Sequence, residues 1–406
     1  MRGKSLLVAA KNVFQSFALR ILHPFVRRRD NYVAIGAWCG ERYVDNSRYL
    51  AEYIYSKRKD LRLFWIGAND IRAEVLQNMP MVEFLEIGTF KTNIKLLRCK
   101  YMFFSQMHSA DISPASVYNG AITCYLHHGM PIKKWAQDGL NQKTVDERWI
   151  YKIAAALTQS NLKYNYFVVS CESHGRTNCT ALAYRGAREN NNLNTGTPRN
   201  DILVNYDPTV GSKLKNTYAA ELGFESNKRV ILYAPTFRRL SEDVFSFTKL
   251  TYDQQVRLEN FLAARDAVLI EKSHMAEKAH FDDSPAENII IADRKLNIQE
   301  MLMFTDCLIS DYSGVFLDYI LLDRPVVHFA YDYEFYKNED SGLYYDIEDF
   351  SAGPVVTEYD TLLIAIDNIL SGNDDYAEKR AYVRNKYMTY ECGRASEKIV
   401  ERVIGN

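Results

Sequence analysis

The stretch FTDCLISDYSGVFLDYILLDRPVVHFAYDY, residues Phe304–Tyr333, changes its local pattern three times. An apolar run ends at a polar turn with one glycine, residues 310–314, and apolar residues then recur at helical spacing from Val315. Arg324-Pro325 ends this helix, and an extended apolar run follows. A strand, a turn and a helix in this order leave backbone N–H groups free at the helix start, where proteins often bind phosphate. The stretch therefore predicts a parallel α/β layer with an anion site, although an ordinary serine-capped turn would show the same pattern.

Short apolar strands alternate with helical segments on both sides of this stretch. That alternation is typical of parallel sheets joined by crossover helices. Turn-forming residues cluster at 195–201, near the middle of the chain, and we place a domain boundary there. The predicted segments are a basic amphipathic N-terminal helix, an N-terminal α/β domain, a C-terminal α/β domain and closing helices, at residues 1–30, 31–200, 201–375 and 376–406.

Composition excludes several classes of protein. The 406 residues suffice for two domains, and 47% hydrophobic with 25% charged residues is typical of a globular protein. A net charge of −1 provides no basic field, so we expect no nucleic-acid partner. The seven cysteines contain no CxxC pair, which favours reduced thiols in a cytosol. No DxD pair flanks the polar clusters described below, so we expect neither a metal nor another cofactor.

The N-terminal segment 1–30 carries seven lysine and arginine residues against one aspartate. Helical spacing places Leu6, Ala10, Val13, Phe14, Phe17 and Ile21 on one face and Lys4, Lys11, Gln15 and Arg20 largely on the other. No apolar run is long enough to cross a bilayer, and no signal-peptide cleavage site follows. The segment fits a helix on an anionic membrane surface or a helix packed on the protein's own body. The first predicts a cytoplasmic protein that is peripheral on the inner face of the cell membrane.

Four polar clusters follow predicted strands, and parallel sheets bind ligands at the carboxyl ends of their strands. They read HHGMPIKK at 127–134, APTFR at 234–238, KSH at 272–274 and SDYSG at 310–314. Together they supply imidazoles, fixed cations and a helix start, which are the groups that bind a pyrophosphate and move a proton. Two α/β halves with such clusters predict a ligand cleft at their junction.

With GTPRND at 196–201, these clusters resemble the CDP-glycerol glycerophosphotransferase family, the primases and polymerases of wall teichoic acid with related capsule enzymes. The resemblance extends from about Tyr32 to the C-terminus and is strongest in 196–333, where SDYSGVFLDYILLDRPVVHF is a long and specific match. Two positions depart from the family pattern. Met130 stands where the family has threonine, and Gly314 stands where it has a second serine.

The resemblance implies a GT-B-like fold of two Rossmann-like domains facing across a cleft, with the nucleotide in the C-terminal half. It implies an enzyme that transfers an alditol phosphate, glycerol phosphate in the first place, from a CDP-linked donor to a hydroxyl, with release of CMP. The acceptor would be a cell-surface polysaccharide or a polyprenyl-linked molecule.

The resemblance also gives roles to single residues. His128 matches a histidine proposed as the catalytic base, and His274 matches one that contacts the donor phosphates. The predicted substrate-binding residues are Arg238, Ser310, Asp311, Ser313, Gly314 and Asp318, with Lys133 as a cation near an anionic acceptor. Each also has an ordinary structural explanation, and we interpret His127, His174 and His328 as structural. Asp45 and Glu41 are the alternatives if His128 is not the base.

Two other functions fit the same patterns. A GT-B glycosyltransferase would share the fold and the phosphate site but would cleave the bond between sugar and oxygen. A non-catalytic subunit of polysaccharide assembly would keep the fold without the chemistry. The SDYSG-FLDY motif argues against the first, and the two retained histidines, His128 and His274, argue against the second.

Overall fold

The structure is a computed structural model. It describes residues 2–405 except 116, 118–119, 140–161, 237, 239, 241–243, 273–285 and 294, and only the backbone of residues 2–9. Contacts divide the chain into two units: unit 1 contains Met1–His128, Gln142–Asp201 and Tyr390–Asn406, and unit 2 contains Gly129–Asn141 and Ile202–Thr389. The predicted closing segment 376–406 is therefore divided between the units. The chain leaves the first unit directly after His128.

Unit 1 is built on a seven-stranded parallel sheet with the order β3-β2-β1-β4-β5-β6-β7. Its strands are β1 (Arg29–Gly36), β2 (Arg62–Gly67), β3 (Glu83–Glu86), β4 (Cys99–Phe104), β5 (Ile122–Tyr125), β6 (Tyr166–Val169) and β7 (Asn192–Asn194). Val33 in the central strand pairs with Leu63 on one side and Tyr101 on the other. The sequence predicts all of these strands except β7, because asparagine favours turns over strands.

Unit 2 is built on a six-stranded parallel sheet with the order β10-β9-β8-β11-β12-β13. Its strands are β8 (Arg229–Tyr233), β9 (Ala267–Glu271), β10 (Ile289–Ile291), β11 (Cys307–Ser310), β12 (Val326–Phe329) and β13 (Val355–Val356). Ile231 in the central strand pairs with Leu269 and with Cys307. The predicted α/β class with two parallel sheets is confirmed.

The described residues also form α-helices, most of them in the connections between these strands. In chain order they are α1 (Arg2–Leu22), α2 (Asp45–Lys57), α3 (Arg72–Asn78), α4 (Phe90–Leu96), α5 (His108–Asp111), α6 (Glu172–Ala181), α7 (Asp201–Val204), α8 (Pro208–Leu222), α9 (Tyr252–Ala263), α10 (Ile298–Phe304), α11 (Val315–Tyr319), α12 (Tyr333–Phe335), α13 (Ile347–Phe350), α14 (Tyr359–Leu370), α15 (Ala377–Tyr387) and α16 (Ala395–Val403). Local signals set several boundaries: Asp207 caps α8 through Thr209 N–H, and a Thr251–Gln254 capping box starts α9.

Each unit has its own apolar core. In unit 1 the side chains of Trp65 and Phe103 pack with Leu50 of α2, and Ile399 of α16 joins the same cluster. This packing explains why the last residues of the chain belong to the first unit. In unit 2 the corresponding cluster includes Ile231, Leu269, Ile309, Val327, Leu362 and Ile366.

The strand order reverses once in each sheet, between β1 and β4 in unit 1 and between β8 and β11 in unit 2. Open α/β sheets bind ligands outside the carboxyl ends of the strands at such a reversal. The APTFR loop follows β8 and the SDYSG turn includes the end of β11, so both lie at the reversal in unit 2. His128 follows β5, the strand next to β4 in unit 1.

Helix α1 shows an unexpected orientation. Gln15, Ser16 and Leu19 are buried against the body of unit 1, and Gln15 Oε1 accepts a hydrogen bond from Asn93 Nδ2 at 2.6 Å. The predicted apolar face is turned outward instead: the exposed fractions are 72% for Phe14, 65% for Phe17, 55% for Ile21 and, just after the helix, 83% for Phe25. The spacing placed Gln15 on the polar face of this helix, and part of that face packs on unit 1, where Asn93 bonds to Gln15. Among the described residues, no helix combines the length and the hydropathy needed to cross a bilayer.

Candidate active site

Asp311 connects the two loops at the strand reversal of unit 2. Its carboxylate accepts the N–H of Thr236 at 2.9 and 3.0 Å, the Thr236 hydroxyl at 2.7 Å and the N–H of Ser313 at 3.2 Å. The side chain is buried, with 1% exposed. Asp311 therefore fixes the shape of both loops, and its oxygens are occupied by protein donors.

Arg238 lies behind this carboxylate and is completely enclosed. Its guanidinium contacts Asp311 at 2.7 Å and Asp332 at 2.8 Å. The rings of Tyr312, Tyr331 and Tyr336 surround it, with centroids 5.2, 5.5 and 4.8 Å from the guanidinium carbon. Burial alone would lower the pKa of Arg238, but the two carboxylates more than offset this and raise its pKa. The side chain predicted to bind substrate is therefore committed to partners within unit 2.

Three further side chains of the motif also face inward. The Ser310 hydroxyl donates to the Ala234 carbonyl at 3.2 Å, and Asp318 accepts from Gln299 Nε2 at 3.2 Å. His328 Nε2 accepts the Ala352 N–H at 3.0 Å, so its Nδ1 carries the proton and donates to the Asp311 carbonyl at 3.3 Å. Burial lowers the pKa of His328 to about 4. These residues support the turn from within the fold.

The part of the motif that stays accessible is its tip, Ser313 and Gly314, both half-buried. The Ser313 hydroxyl accepts the Val315 N–H at 3.4 Å, just before α11, whose N-cap residue is Gly314. This helix has five residues before a 3₁₀ turn continues it, so its dipole adds little to anion binding. A Cβ on Gly314 would lie 2.8 Å from the carbonyl oxygen of Met130. The two departures from the family pattern are thus neighbours in space.

Residues 130–138 reach this turn because they pair with another segment of unit 2. Lys134 N–H donates to the Gly342 carbonyl at 2.9 Å, and Tyr344 N–H donates to the Ile132 carbonyl at 2.8 Å. Lys133 forms an antiparallel bridge with Leu343 and is half-buried. The backbone of the HGMPIKK motif after the histidine is therefore held by residues 342–344.

His128 is exposed at the end of the β5 loop in unit 1. Its Nδ1 lies 3.5 Å from the Ser105 carbonyl, and the tautomer that donates to this carbonyl has its lone pair on Nε2. The indole of Trp38 approaches the imidazole edge to face, with 6.4 Å between ring centroids. The neighbouring His127 is buried against His174, with ring centroids 4.5 Å apart, and burial lowers the pKa of both. Only the second histidine of the motif is placed to meet a substrate.

Three polar side chains that the sequence did not single out as a group lie behind His128. Arg199 Nη1 donates to Asp45 Oδ1 at 3.0 Å and to the His128 carbonyl at 2.7 Å. Asn46 Nδ2 donates to the carbonyls of Leu126 and His127 at 3.0 and 2.8 Å. Trp38 Nε1 donates to Asp45 Oδ2 at 3.0 Å. We call Asp45, Asn46 and Arg199 the histidine bracket.

Asp111 is another residue that sequence reasoning missed. Its carboxylate accepts the N–H groups of Cys39, Ser105 and Gln106 at 2.9, 3.0 and 2.7 Å. Burial raises its pKa to about 7, against the effect of these three donors. The backbone at Asp111 also approaches β1, where a Cβ on Gly36 would lie 1.9 Å from its carbonyl oxygen. A single aspartate thus joins the loops after β1 and β4.

His274 lies outside the described residues. Within the part of the chain that the structure describes, no group of three or more His, Cys, Asp and Glu side chains could hold a metal ion. All seven cysteines are free.

Comparisons with known proteins agree with these motifs. The family described as CDP-Glycerol:Poly(glycerophosphate) glycerophosphotransferase matches residues 18–405. The teichoic acid glycerol-phosphate transferase of Staphylococcus aureus is 25% identical over 394 residues, covering 92% of this chain and 93% of the relative. The teichoic acid poly(glycerol phosphate) polymerase of Bacillus subtilis is 26% identical over 418 residues, and the chain spans 52% of its length.

Solved structures show the same fold. The wall teichoic acid polymerase TagF has a TM-score of 0.74 at 22% identity, with 93% of this chain and 89% of that chain covered. The UDP-GlcNAc 2-epimerase of Neisseria meningitidis has a TM-score of 0.54 at 11% identity, with 92% and 100% covered. The predicted GT-B-like class is confirmed by the likeness to TagF. The match over residues 18–405 shows that the chain belongs to the CDP-glycerol:poly(glycerophosphate) glycerophosphotransferase family.

Proposed function

We propose that this protein transfers glycerol phosphate from CDP-glycerol to a hydroxyl of a teichoic-acid-type surface polymer and releases CMP. In this reaction the acceptor oxygen forms a bond to the phosphorus next to glycerol, and the phosphoanhydride bond to CMP breaks. The observation that carries the proposal is that a member of this family has both an exposed histidine after β5 in unit 1 and an SDYSG turn with an accessible tip in unit 2.

His128 is the general base of this proposal. The acceptor hydroxyl must lose its proton as its oxygen bonds to phosphorus, and a neutral imidazole accepts a proton near neutral pH. Donation from Nδ1 to the Ser105 carbonyl orients the ring and presents Nε2 to the acceptor. His274 remains the proposed contact of the donor phosphates on the strength of the family motif alone.

The donor is proposed to lie against the tip of the turn in unit 2. Ser313 and Gly314 offer a hydroxyl and backbone N–H groups there, and Lys133 offers a cation. Arg238, Asp311, Ser310 and Asp318 support this site indirectly, since the first two hold the loops together and the last two bond within the fold. This assignment replaces direct substrate contact by Arg238 with a positioning role.

A donor screen tests the proposal and separates it from its alternatives. Purified protein is incubated with a teichoic acid primer and, in turn, CDP-glycerol, CDP-ribitol or UDP-glucose, and release of CMP or UDP is measured. We expect CMP from CDP-glycerol in amounts that match glycerol phosphate added to the primer. UDP release with sugar transfer would indicate a glycosyltransferase, and no release from any donor would indicate a binding subunit.

We further propose that α1 rests on an anionic membrane surface, which would bring the enzyme to a polyprenyl-linked acceptor at the inner face of the cell membrane. Phe14, Phe17, Ile21 and Phe25 point away from unit 1, and the exposed cations Lys11, Arg20, Arg27 and Arg29 lie in the same segment. A helix with outward aromatic side chains and basic neighbours is suited to the boundary between headgroups and acyl chains.

Vesicle sedimentation tests the membrane proposal. The triple variant Phe14→Ser, Phe17→Ser, Phe25→Ser should lose binding to vesicles that contain phosphatidylglycerol and keep activity on a soluble acceptor. Met81→Ser is the matched control, because Met81 is 86% exposed in the same unit but lies outside the segment. Vesicle binding by the triple variant at the level of the control would contradict the proposal. Point changes are preferable to deletion of residues 1–30, because Arg28 donates to the Val117 carbonyl at 2.8 Å within unit 1.

A further inference from the structure

The loop that carries His128 has an unusual backbone. His127 has a φ of +60°, and in the segment between β1 and α2 Trp38, Cys39 and Asp45 have φ values of +45°, +58° and +66°. Residues other than glycine rarely adopt this left-handed region, and they keep it only where surrounding contacts enforce it. The fold therefore holds these two loops in a conformation that they would not adopt alone.

For the loop that carries His128, the surrounding contacts include those of the histidine bracket. The carbonyls of Leu126, His127 and His128 follow the end of β5, and each accepts a side-chain hydrogen bond. Asn46 Nδ2 donates to the first two carbonyls at 3.0 and 2.8 Å, and Arg199 Nη1 donates to the third at 2.7 Å. Three successive carbonyls are thus fixed by two side chains, which sets the direction in which the His128 side chain leaves the backbone.

The bracket is itself tied together and shielded from water. Asp45 and Arg199 form an ion pair at 3.0 Å, with 4% and 8% of their side chains exposed. The Arg199 N–H donates to Asn46 Oδ1 at 3.0 Å, and the Asn46 N–H donates to Asp45 Oδ1 at 2.8 Å. A buried, mutually bonded set has one geometry, whereas exposed charged side chains sample many.

We propose that Arg199 is a positioning residue for the general base: through Asp45 and Asn46 it holds the His128 loop so that the imidazole meets the acceptor hydroxyl. The proposal rests on the proposed function of His128. It gives the arginine of the GTPRND motif a task in the proton transfer step through its hydrogen bonds to Asp45 and to the His128 carbonyl. Misplacement of a reacting group by about 1 Å can cost about a hundredfold in rate.

A double-mutant cycle with His128 tests this assignment. Turnover is measured at saturating CDP-glycerol and acceptor for the unsubstituted protein, His128→Ala, Arg199→Ala and the double variant. We expect Arg199→Ala to lower kcat about ten- to a hundredfold with the KM for the donor within about twofold. In the His128→Ala background the same change should cost less than about threefold, because there is no imidazole left to position.

Arg28→Ala is the matched control. Arg28 is a largely buried arginine of unit 1 that also donates to backbone carbonyls, those of Leu96, Cys99 and Val117, away from the histidine loop. A loss of stability alone should lower the turnover by the same factor with or without His128. If Arg199→Ala does not fold, Arg199→Lys serves in its place, since an ammonium keeps the charge opposite Asp45 but cannot reproduce the fork of the guanidinium.

Three results of this double-mutant cycle would contradict the positioning role of Arg199. Near-normal turnover of His128→Ala would overturn the proposed base and the positioning role with it. A large loss for His128→Ala combined with a normal kcat for Arg199→Ala would overturn the positioning role alone. Equal factors for the arginine change in both backgrounds would also overturn it, because they would reduce the bracket to a source of stability.

Discussion

Each unit has a buried pair of an aspartate and an arginine at its strand ends, and the two pairs bond the neighbouring loops in opposite ways. In unit 2 the carboxylate is central: Asp311 collects loop N–H groups, and Arg238 neutralises it from an aromatic enclosure. In unit 1 the donors are central: Arg199 and Asn46 collect loop carbonyls, and Asp45 neutralises the arginine. The first arrangement leaves an accessible turn, and the second leaves an exposed imidazole. The comparison teaches that a motif arginine can be bonded to the loops of its own unit, Arg238 through a carboxylate and Arg199 through a carbonyl.

The largest expected effect is on the buried pair of unit 2. Arg238→Ala leaves Asp311 and Asp332 without their cation, and breaking a buried ion pair on one side costs about 3–5 kcal/mol of unfolding free energy. Chemical denaturation followed by circular dichroism measures this loss. Stabilisation by CDP in a thermal melt should vanish as well, because the two loops lose their connection.

Arg257→Ala is the control for that change. Arg257 pairs with Asp360 in the same unit at 2.8 Å, but 60% and 66% of the two side chains are exposed, so about 0–1 kcal/mol is expected. Equal losses for the two variants would contradict the supporting role of Arg238. An unchanged fold with weaker CDP binding would instead restore direct substrate contact by this arginine.

A smaller effect is expected at the tip of the turn. Gly314→Ser restores the family's residue but places a Cβ 2.8 Å from the Met130 carbonyl, so the turn or residues 129–134 must move. Such overpacking costs about 1–3 kcal/mol, and we expect CDP affinity to fall with it. Isothermal titration with CDP measures the change.

Gly139→Ser provides the matched control, because Gly139 has an ordinary φ of −67° and its nearest neighbour would lie 3.6 Å from a Cβ. It should bind CDP as the unsubstituted protein does. A Gly314→Ser variant with normal affinity would show that the close approach of Met130 has no bearing on the donor site.

The sequence predicted the sheets well because buried parallel strands read as apolar runs that end in polar turns. It did not predict β7, an asparagine-rich strand, or β13, which has two residues at a sheet edge. It also did not predict that Gln15 is buried, since periodicity ranks faces by polarity and cannot detect a partner such as Asn93.

The sequence predicted only part of the site, because a motif does not show which partners its side chains have in the fold. The motifs located both loops, but not which of their side chains face inward. Arg199 and His128 are 71 residues apart in the chain, and no local pattern links them. Likewise, nothing in APTFR shows that its arginine is enclosed by tyrosines from residues 312–336.

The smallest expected effect is a difference between the two units in how their stability depends on pH. Burial lowers the pKa of His108 and His174 to about 3 and that of His127 well below its ordinary value, all in unit 1, whereas the described part of unit 2 contributes His328. A histidine with a depressed pKa in the folded state adds stability above about pH 6.5, and this is lost as the pH falls towards the folded value.

Unit 1 should therefore lose more stability than unit 2 between pH 6.5 and pH 5. Asp111, with its pKa raised to about 7, and Asp201, also raised by burial, act in the opposite direction and gain stability on acidification. We expect the three histidines to lower the stability of unit 1 by more than the two aspartates raise it. Hydrogen-exchange protection factors at the two pH values measure both units in one sample, and a steeper loss in unit 2 would contradict the prediction.

We propose that unit 1 supplies the general base while unit 2 binds the donor, and one variant tests this division of roles most directly. Turnover and the CDP dissociation constant are measured for His128→Ala in the same preparation. The account predicts a fall in kcat of about a hundredfold or more, because general-base assistance contributes about 10²–10⁴, with CDP affinity within about twofold of the unsubstituted protein. Near-normal turnover, or a loss of CDP affinity that matches the loss of turnover, would contradict it.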